Sequence, residues 1–81
     1  MRFQFTLRLT SRAGHQVHQI VGEHESESLE ELVQVLNDHD FIIVEEYYRD
    51  NSANGVHGNL YPVGMVIMNT ALIGKVKVHS P

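Results

Sequence analysis

The chain has no cysteine and no tryptophan, only two prolines, and no long run of apolar residues. Without cysteine there can be no disulfide framework, no thiolate nucleophile and no thiolate metal site. No stretch approaches the roughly 20 apolar residues that cross a bilayer. Polar residues interrupt the first nine positions, unlike the apolar core of a signal peptide. We therefore predict a soluble, unprocessed, cytoplasmic protein without a membrane partner.

The length and composition bound the number of domains and the class of partner. With 81 residues, 42% hydrophobic and 20% charged, the chain is long enough for one core and too short for two. We predict a single α+β domain over residues 1–81. The formal charge of −4 argues against a dedicated phosphate-backbone binder, since such domains are usually basic.

The clearest strand lies at the start of the chain, where apolar and polar residues alternate with a period of two. Its predicted inward face consists of Phe3, Phe5, Leu7 and Leu9. A second strand over His15–Val21 follows, so the first two strands are predicted to form a hairpin.

The register of this hairpin depends on the length of its turn. A three-residue loop with Gly14 as a bulge would point Val17 and Val21 toward the core. An even loop would instead point His18 and Ile20 inward. We favour the first arrangement.

A helix is predicted to begin at Ser28, because Ser28-x-x-Glu31 has the form of a capping box. Asn37 is the predicted stop. The apolar stripe of this helix, expected to pack on the inward face of the first strand, is Leu29, Leu32, Val33 and Leu36.

The second half of the chain reads as three strands and one long loop. Phe41–Val44 is apolar without alternation, which is typical of a central strand buried on both faces. Residues 50–59 are rich in Asn, Ser and Gly and predict a mobile loop. Met65–Met68 and Leu72–Val78 are predicted to be the last two strands.

The predicted order is ββαβββ, giving a mostly antiparallel five-stranded sheet with one helix on one face. One helix covers only part of such a sheet, so either the sheet curls into a barrel or two copies pack together. We favour a homo-oligomer, with a dimer as the simplest form. The residues expected on the face away from the helix are Ile42, Val44, Tyr48, Val66, Met68 and Ile73.

The six histidines are the most unusual compositional feature, and they are scattered along the chain. On a strand, His15 and His18 would point to opposite faces, so they do not converge on a metal ion. The Asp38–Asp40 segment reads as a solvated connection. Protonating all six would change the formal charge from −4 to +2, but exposed histidines titrate in any protein. We predict no metal and no cofactor.

Glu45–Arg49 combines carboxylates, phenols and a guanidinium, and strand alternation divides them between two faces. An acid–base site would require His57 to meet Glu45 or Tyr47. No nucleophile elbow, phosphate loop or zinc signature is present, so the protein is not expected to be an enzyme. The residues predicted to bind a protein or small ligand beside the 50–59 loop are Tyr47, Tyr48, Arg49 and His57.

The preferred function is therefore a non-catalytic interaction or regulatory module that associates with itself through its sheet. The alternative is a nucleic-acid-associated regulator with a local basic stripe on the first and last strands, which can bind phosphate despite a negative total charge. The stripe consists of Arg2, Arg8, Lys75 and Lys77.

Overall fold

The structure, a computed structural model, describes residues 1–11, 14–50 and 59–79. It confirms the α+β class and the ββαβββ order. The elements are β1 (Arg2–Ser11), β2 (Gly14–Glu23), α1 (Leu29–Asp38), β3 (Phe41–Asp50), β4 (Asn59–Asn69), a 3-10 turn (Thr70–Leu72) and β5 (Ile73–Val78).

The strands form one antiparallel sheet in the order β4-β3-β2-β1-β5. β4 and β5 lie at opposite edges and do not pair with each other, so the sheet is open. α1, with ten residues, packs on one face. No helix in the described ranges is long and apolar enough to span a bilayer.

The favoured hairpin register is wrong, and the even-loop alternative is right. Ser11 pairs with Gly14, and Phe5 pairs with Ile20, so Ile20 shares the inward face while Val21 lies on the other. The position of Gly22 on the inward face agrees with this register. A Cβ on Gly22 would lie 2.8 Å from Val44 Cγ2, so no larger residue fits at this inward position without movement.

The capping box is confirmed, with one difference in its reciprocal bond. Ser28 Oγ accepts from the Glu31 backbone N–H at 3.1 Å, as predicted. The Glu31 carboxylate accepts from the Glu27 N–H at 2.9 Å rather than from the cap residue itself. The helix ends at Asp38, one residue beyond the predicted stop.

The core lies between α1 and the sheet and consists of Phe3, Phe5, Leu32, Ile42, Val44 and Met68. Leu32 is only 1% exposed, and Leu29 and Leu36 pack beside it as predicted. Val33 is 48% exposed, so its predicted burial is wrong. Val33 lies about 100° around the helix from Leu32. Val35 lies only about 60° from Leu32, in the opposite direction, and packs against the core in place of Val33. The side chain of Leu9 lies outside the described residues.

The residues assigned to the face away from the helix are all misplaced. Ile42, Val44 and Met68 are buried in the core, and Val66 and Ile73 pack against it. Tyr48 is exposed, and by alternation it lies on the helix side of β3. The error arises because Phe41–Val44 and Met65–Met68 are apolar at both odd and even positions, so alternation could not assign a face.

The strand limits also differ from the predictions. β4 begins at Asn59. Its pairing with β3 shifts register opposite Glu46 and Tyr47. At this shift Gly64 has a φ of 138°, a backbone conformation that residues other than glycine rarely adopt. Leu72 belongs to the 3-10 turn, not to β5. Asp50 and Asn59, placed in the loop, pair with each other at the ends of their strands. The rest of the predicted mobile loop, 51–58, lies outside the described residues.

Candidate functional site

The face of the sheet opposite α1, here called the open face, carries an apolar cluster on β3 and β4. Since even-numbered Ile42 and Val44 enter the core, the odd-numbered residues of β3 point away from the helix. Ile43 pairs with Ile67, and they are 56% and 69% exposed. We call the cluster the β3–β4 patch; its members, all exposed, are Phe41, Ile43, Met65 and Ile67. β3 has neighbours on both sides, yet its predicted burial on both faces is wrong.

The strand pairing sets the limits of this patch. Phe41 pairs with Asn69 at one end, and Met65 pairs with Glu45 at the other. Beyond Glu45 the bulge at Gly64 interrupts the regular ladder. The patch thus occupies one end of the two strands, and the 50–59 segment joins them at the other end.

The basic residues lie on the opposite half of the open face. Lys77 pairs with Gln4 and Lys75 with Thr6, so both lysines share the outward side of β1. Arg8 is exposed, and its side chain lies beside Gly74. Its Nε would be 3.0 Å from a Cβ atom added to that glycine. Together with Arg2, these side chains form the predicted stripe on two neighbouring strands.

Arg2 connects the stripe to the middle of the sheet. Its guanidinium carbon lies 4.3 Å from the centre of the Tyr47 ring, which is a cation–π distance. Its Nε also lies 3.8 Å from a Glu23 carboxylate oxygen, in a partly exposed ion pair. Arg2 is therefore engaged within the chain, unlike the exposed lysines at the edge.

The residues predicted to bind a partner are not all on one face. Tyr47 lies on the open face under Arg2, whereas Tyr48 is exposed on the helix side opposite Tyr61. Arg49 continues β3, but its side chain lies outside the described residues, as does all of His57. Their roles remain predictions.

A polar cluster at the start of α1 was not expected from the sequence. Ser26 is 4% exposed, and its hydroxyl lies 2.8 Å from His24 Nδ1. The same nitrogen accepts the Ser26 backbone N–H at 3.0 Å, and His24 exchanges two bonds with Met1. Because the hydroxyl and N–H of Ser26 meet the His24 ring and the backbone of His24 bonds to Met1, the cluster links the β2–α1 connection to the chain start. The only sequence signal was a serine placed two residues after a histidine.

Within the described ranges, no group of three or more His, Cys, Asp or Glu residues is placed to hold a metal ion. In comparisons with known proteins, no family model, curated protein or solved structure matches this chain. Function must therefore be argued from the surfaces of the molecule itself.

Proposed function

We propose that the protein is a non-catalytic interaction module that self-associates through its sheet, at the exposed residues of β3 and β4. The observation that carries this proposal is the β3–β4 patch, in which Ile43 and Ile67 are cross-strand neighbours and both more than half exposed. Contiguous apolar surface of this kind usually marks an interface in a folded protein. A second copy is the simplest partner, because two-fold self-association needs only one such surface.

The other end of β3 is the proposed binding region for a protein or small ligand. Its predicted residues on β3 are Tyr47, Tyr48 and Arg49, which lie on the far side of Glu45 from the patch. His57, the fourth predicted residue, lies outside the described residues. Tyrosine and arginine are enriched at interfaces because they combine apolar area with hydrogen-bonding groups. Self-association at the patch leaves this end of the strands accessible. No cofactor is part of the proposal.

Sedimentation equilibrium tests self-association with matched variants. We expect the double variant Ile43→Lys/Ile67→Lys to lower the apparent mass toward the 9.2 kDa of one chain, because it places cations within the proposed interface. Gln19→Lys adds a cation at an exposed β2 position on the open face outside the patch, and should retain the wild-type mass. Far-UV circular dichroism checks that each variant is folded. Equal masses for all three proteins would contradict the proposal.

The second candidate function, binding of nucleic acid, is favoured by the position of the two lysines. Lys75 and Lys77 on β5 are both exposed, and they lie on the same face of the sheet as Arg8 on the neighbouring strand β1. Fluorescence anisotropy with a labelled single-stranded oligonucleotide tests it. Binding that weakens with salt and is lost in Lys75→Ala/Lys77→Ala would support it, since phosphate contacts release counterions. Binding unaffected by that variant would contradict a role for the stripe.

A further inference from the structure

The two edges of the sheet differ in length and charge. β5 has six residues, of which Lys75 and Lys77 are charged. β4 has eleven residues and contains no Lys, Arg, Asp or Glu. In the described part of the chain, no strand pairs with the outer side of either edge. Short length and lysines are common means of preventing an edge from pairing with another chain, so β5 is protected, whereas β4 carries no such charges.

We propose that β4 pairs in antiparallel fashion with β4 of a second copy, joining two five-stranded sheets into one continuous sheet. This inference rests on the proposed self-association and specifies how it occurs. Each copy supplies the same strand, so the arrangement has two-fold symmetry and closes as a dimer. Backbone hydrogen bonds across the new ladder satisfy outward N–H and C=O groups of the two paired segments.

The bulge fixes which part of β4 is available for this pairing. Pro62 lacks an N–H, and Gly64 marks the shift in the ladder, so the irregular half of the strand is a poor template. The regular half runs over residues 65–69. Two-fold antiparallel pairing of this segment places its central residue, Ile67, opposite Ile67 of the second copy. Val66 then faces Met68 of that copy.

The charge distribution favours this edge over stacking of the two open faces. Lys75 and Lys77 lie at the opposite edge, four strands from β4, so pairing at β4 keeps the two basic stripes far apart. If the two open faces stacked with β4 over β4, the two basic stripes would also lie over each other. Repulsion between their like charges disfavours that arrangement. Edge pairing also covers the outer flank of each β3–β4 patch, because Ile67 of each copy becomes a cross-strand neighbour of the other.

Disulfide trapping tests this geometry directly, because the natural chain has no cysteine. We compare Ile67→Cys with Ile43→Cys: the two positions are exposed on the same face and paired in the ladder. Opposite residues in an antiparallel pair have Cα atoms about 4.5–5.5 Å apart, which suits a disulfide. The two residues 43 would be separated by three strand spacings, about 14 Å.

Each protein is treated with oxidised glutathione, and covalent dimer is measured on non-reducing gels. We expect at least tenfold faster dimer formation for Ile67→Cys than for Ile43→Cys. Equal or faster trapping at position 43, while the wild type sediments as a dimer, would overturn edge pairing and leave self-association through the patch intact. A wild type that sediments as a single chain at every concentration, with no trapping at either position, would overturn both proposals.

A charge exchange provides a second test that does not depend on thiol chemistry. Ile67→Lys and Ile67→Glu should each sediment as single chains, because identical charges meet at the two-fold axis. An equimolar mixture of the two variants should recover the dimer mass. Failure of the mixture to recover it, with both variants folded, would contradict the placement of residue 67 opposite itself.

Discussion

The two faces of this sheet are built from the same strands but differ in what covers them. On the helix side, Phe3, Phe5 and Val44 are fully buried beneath α1. On the open face, alternate residues of the same strands form an apolar zone at β3–β4, a polar middle and a cationic zone at β1–β5. The covered face therefore stabilises the fold, whereas no helix covers the open face in the described part of the chain. Substitutions on the two faces should separate stability from association.

The largest expected effect on stability comes from the centre of the covered face. Leu32→Ala should lower the free energy of unfolding by about 2–5 kcal/mol, because it leaves a cavity beneath a side chain that is 1% exposed. Val33→Ala, at the adjacent exposed position, should cost less than about 0.5 kcal/mol. Urea denaturation monitored by circular dichroism measures both. Equal losses for the two variants would show that α1 packs in a different orientation.

Glycines on the two sides of the sheet provide the next contrast. Gly22→Ala should cost about 1–3 kcal/mol, because its methyl group would lie 2.8 Å from Val44 Cγ2 in the core. At Gly74 the nearest atom is Nε of the flexible Arg8 side chain, so Gly74→Ala should have little effect. Thermal unfolding of both variants tests this order. A larger loss at Gly74 would contradict the described packing.

The helix that covers one face should depend moderately on its cap. Ser28→Ala removes the bond that Ser28 Oγ accepts from the Glu31 N–H and should cost about 1 kcal/mol. Gln34→Ala, at an exposed position on the same helix, is the control and should be neutral or slightly stabilising. Chemical denaturation compares the two. No loss for Ser28→Ala would mean that the cap contributes nothing to folding.

The smallest effect is expected at the ion pair on the open face. Glu23→Gln should reduce stability by less than about 1 kcal/mol, because both side chains are partly exposed to water. Added salt should reduce even this difference. Denaturation at low and high salt measures it. A loss above about 2 kcal/mol would mean that the pair stabilises the fold more than surface ion pairs usually do.

Local patterns predicted the elements of the fold more reliably than their orientation. The alternation around Phe3 and Phe5 identified β1, and Ser28 with Glu31 identified the helix start, because each signal lies within a few residues. The hairpin register agrees with the close approach of Gly22 to Val44, which is distant in sequence. No local pattern contains that contact.

The same limit of local patterns explains why the placement of the basic stripe was predicted correctly and the residues of the apolar patch were not. The basic stripe could be proposed because Lys75 and Lys77 alternate clearly with apolar residues on β5. The β3–β4 patch was assigned to the wrong residues, since Ile42 and Ile43 have the same chemistry and only the position of α1 distinguishes them. An exposed apolar face was expected, but its members required the strand register.

The most direct test of the central claim, self-association through the sheet, is the mass of the wild-type protein as a function of concentration. Sedimentation equilibrium at neutral pH should show a mass that rises from the 9.2 kDa of one chain to twice that value and then stops. A plateau at two chains agrees with a closed, two-fold interface. A constant mass of one chain across the whole concentration range would contradict the account.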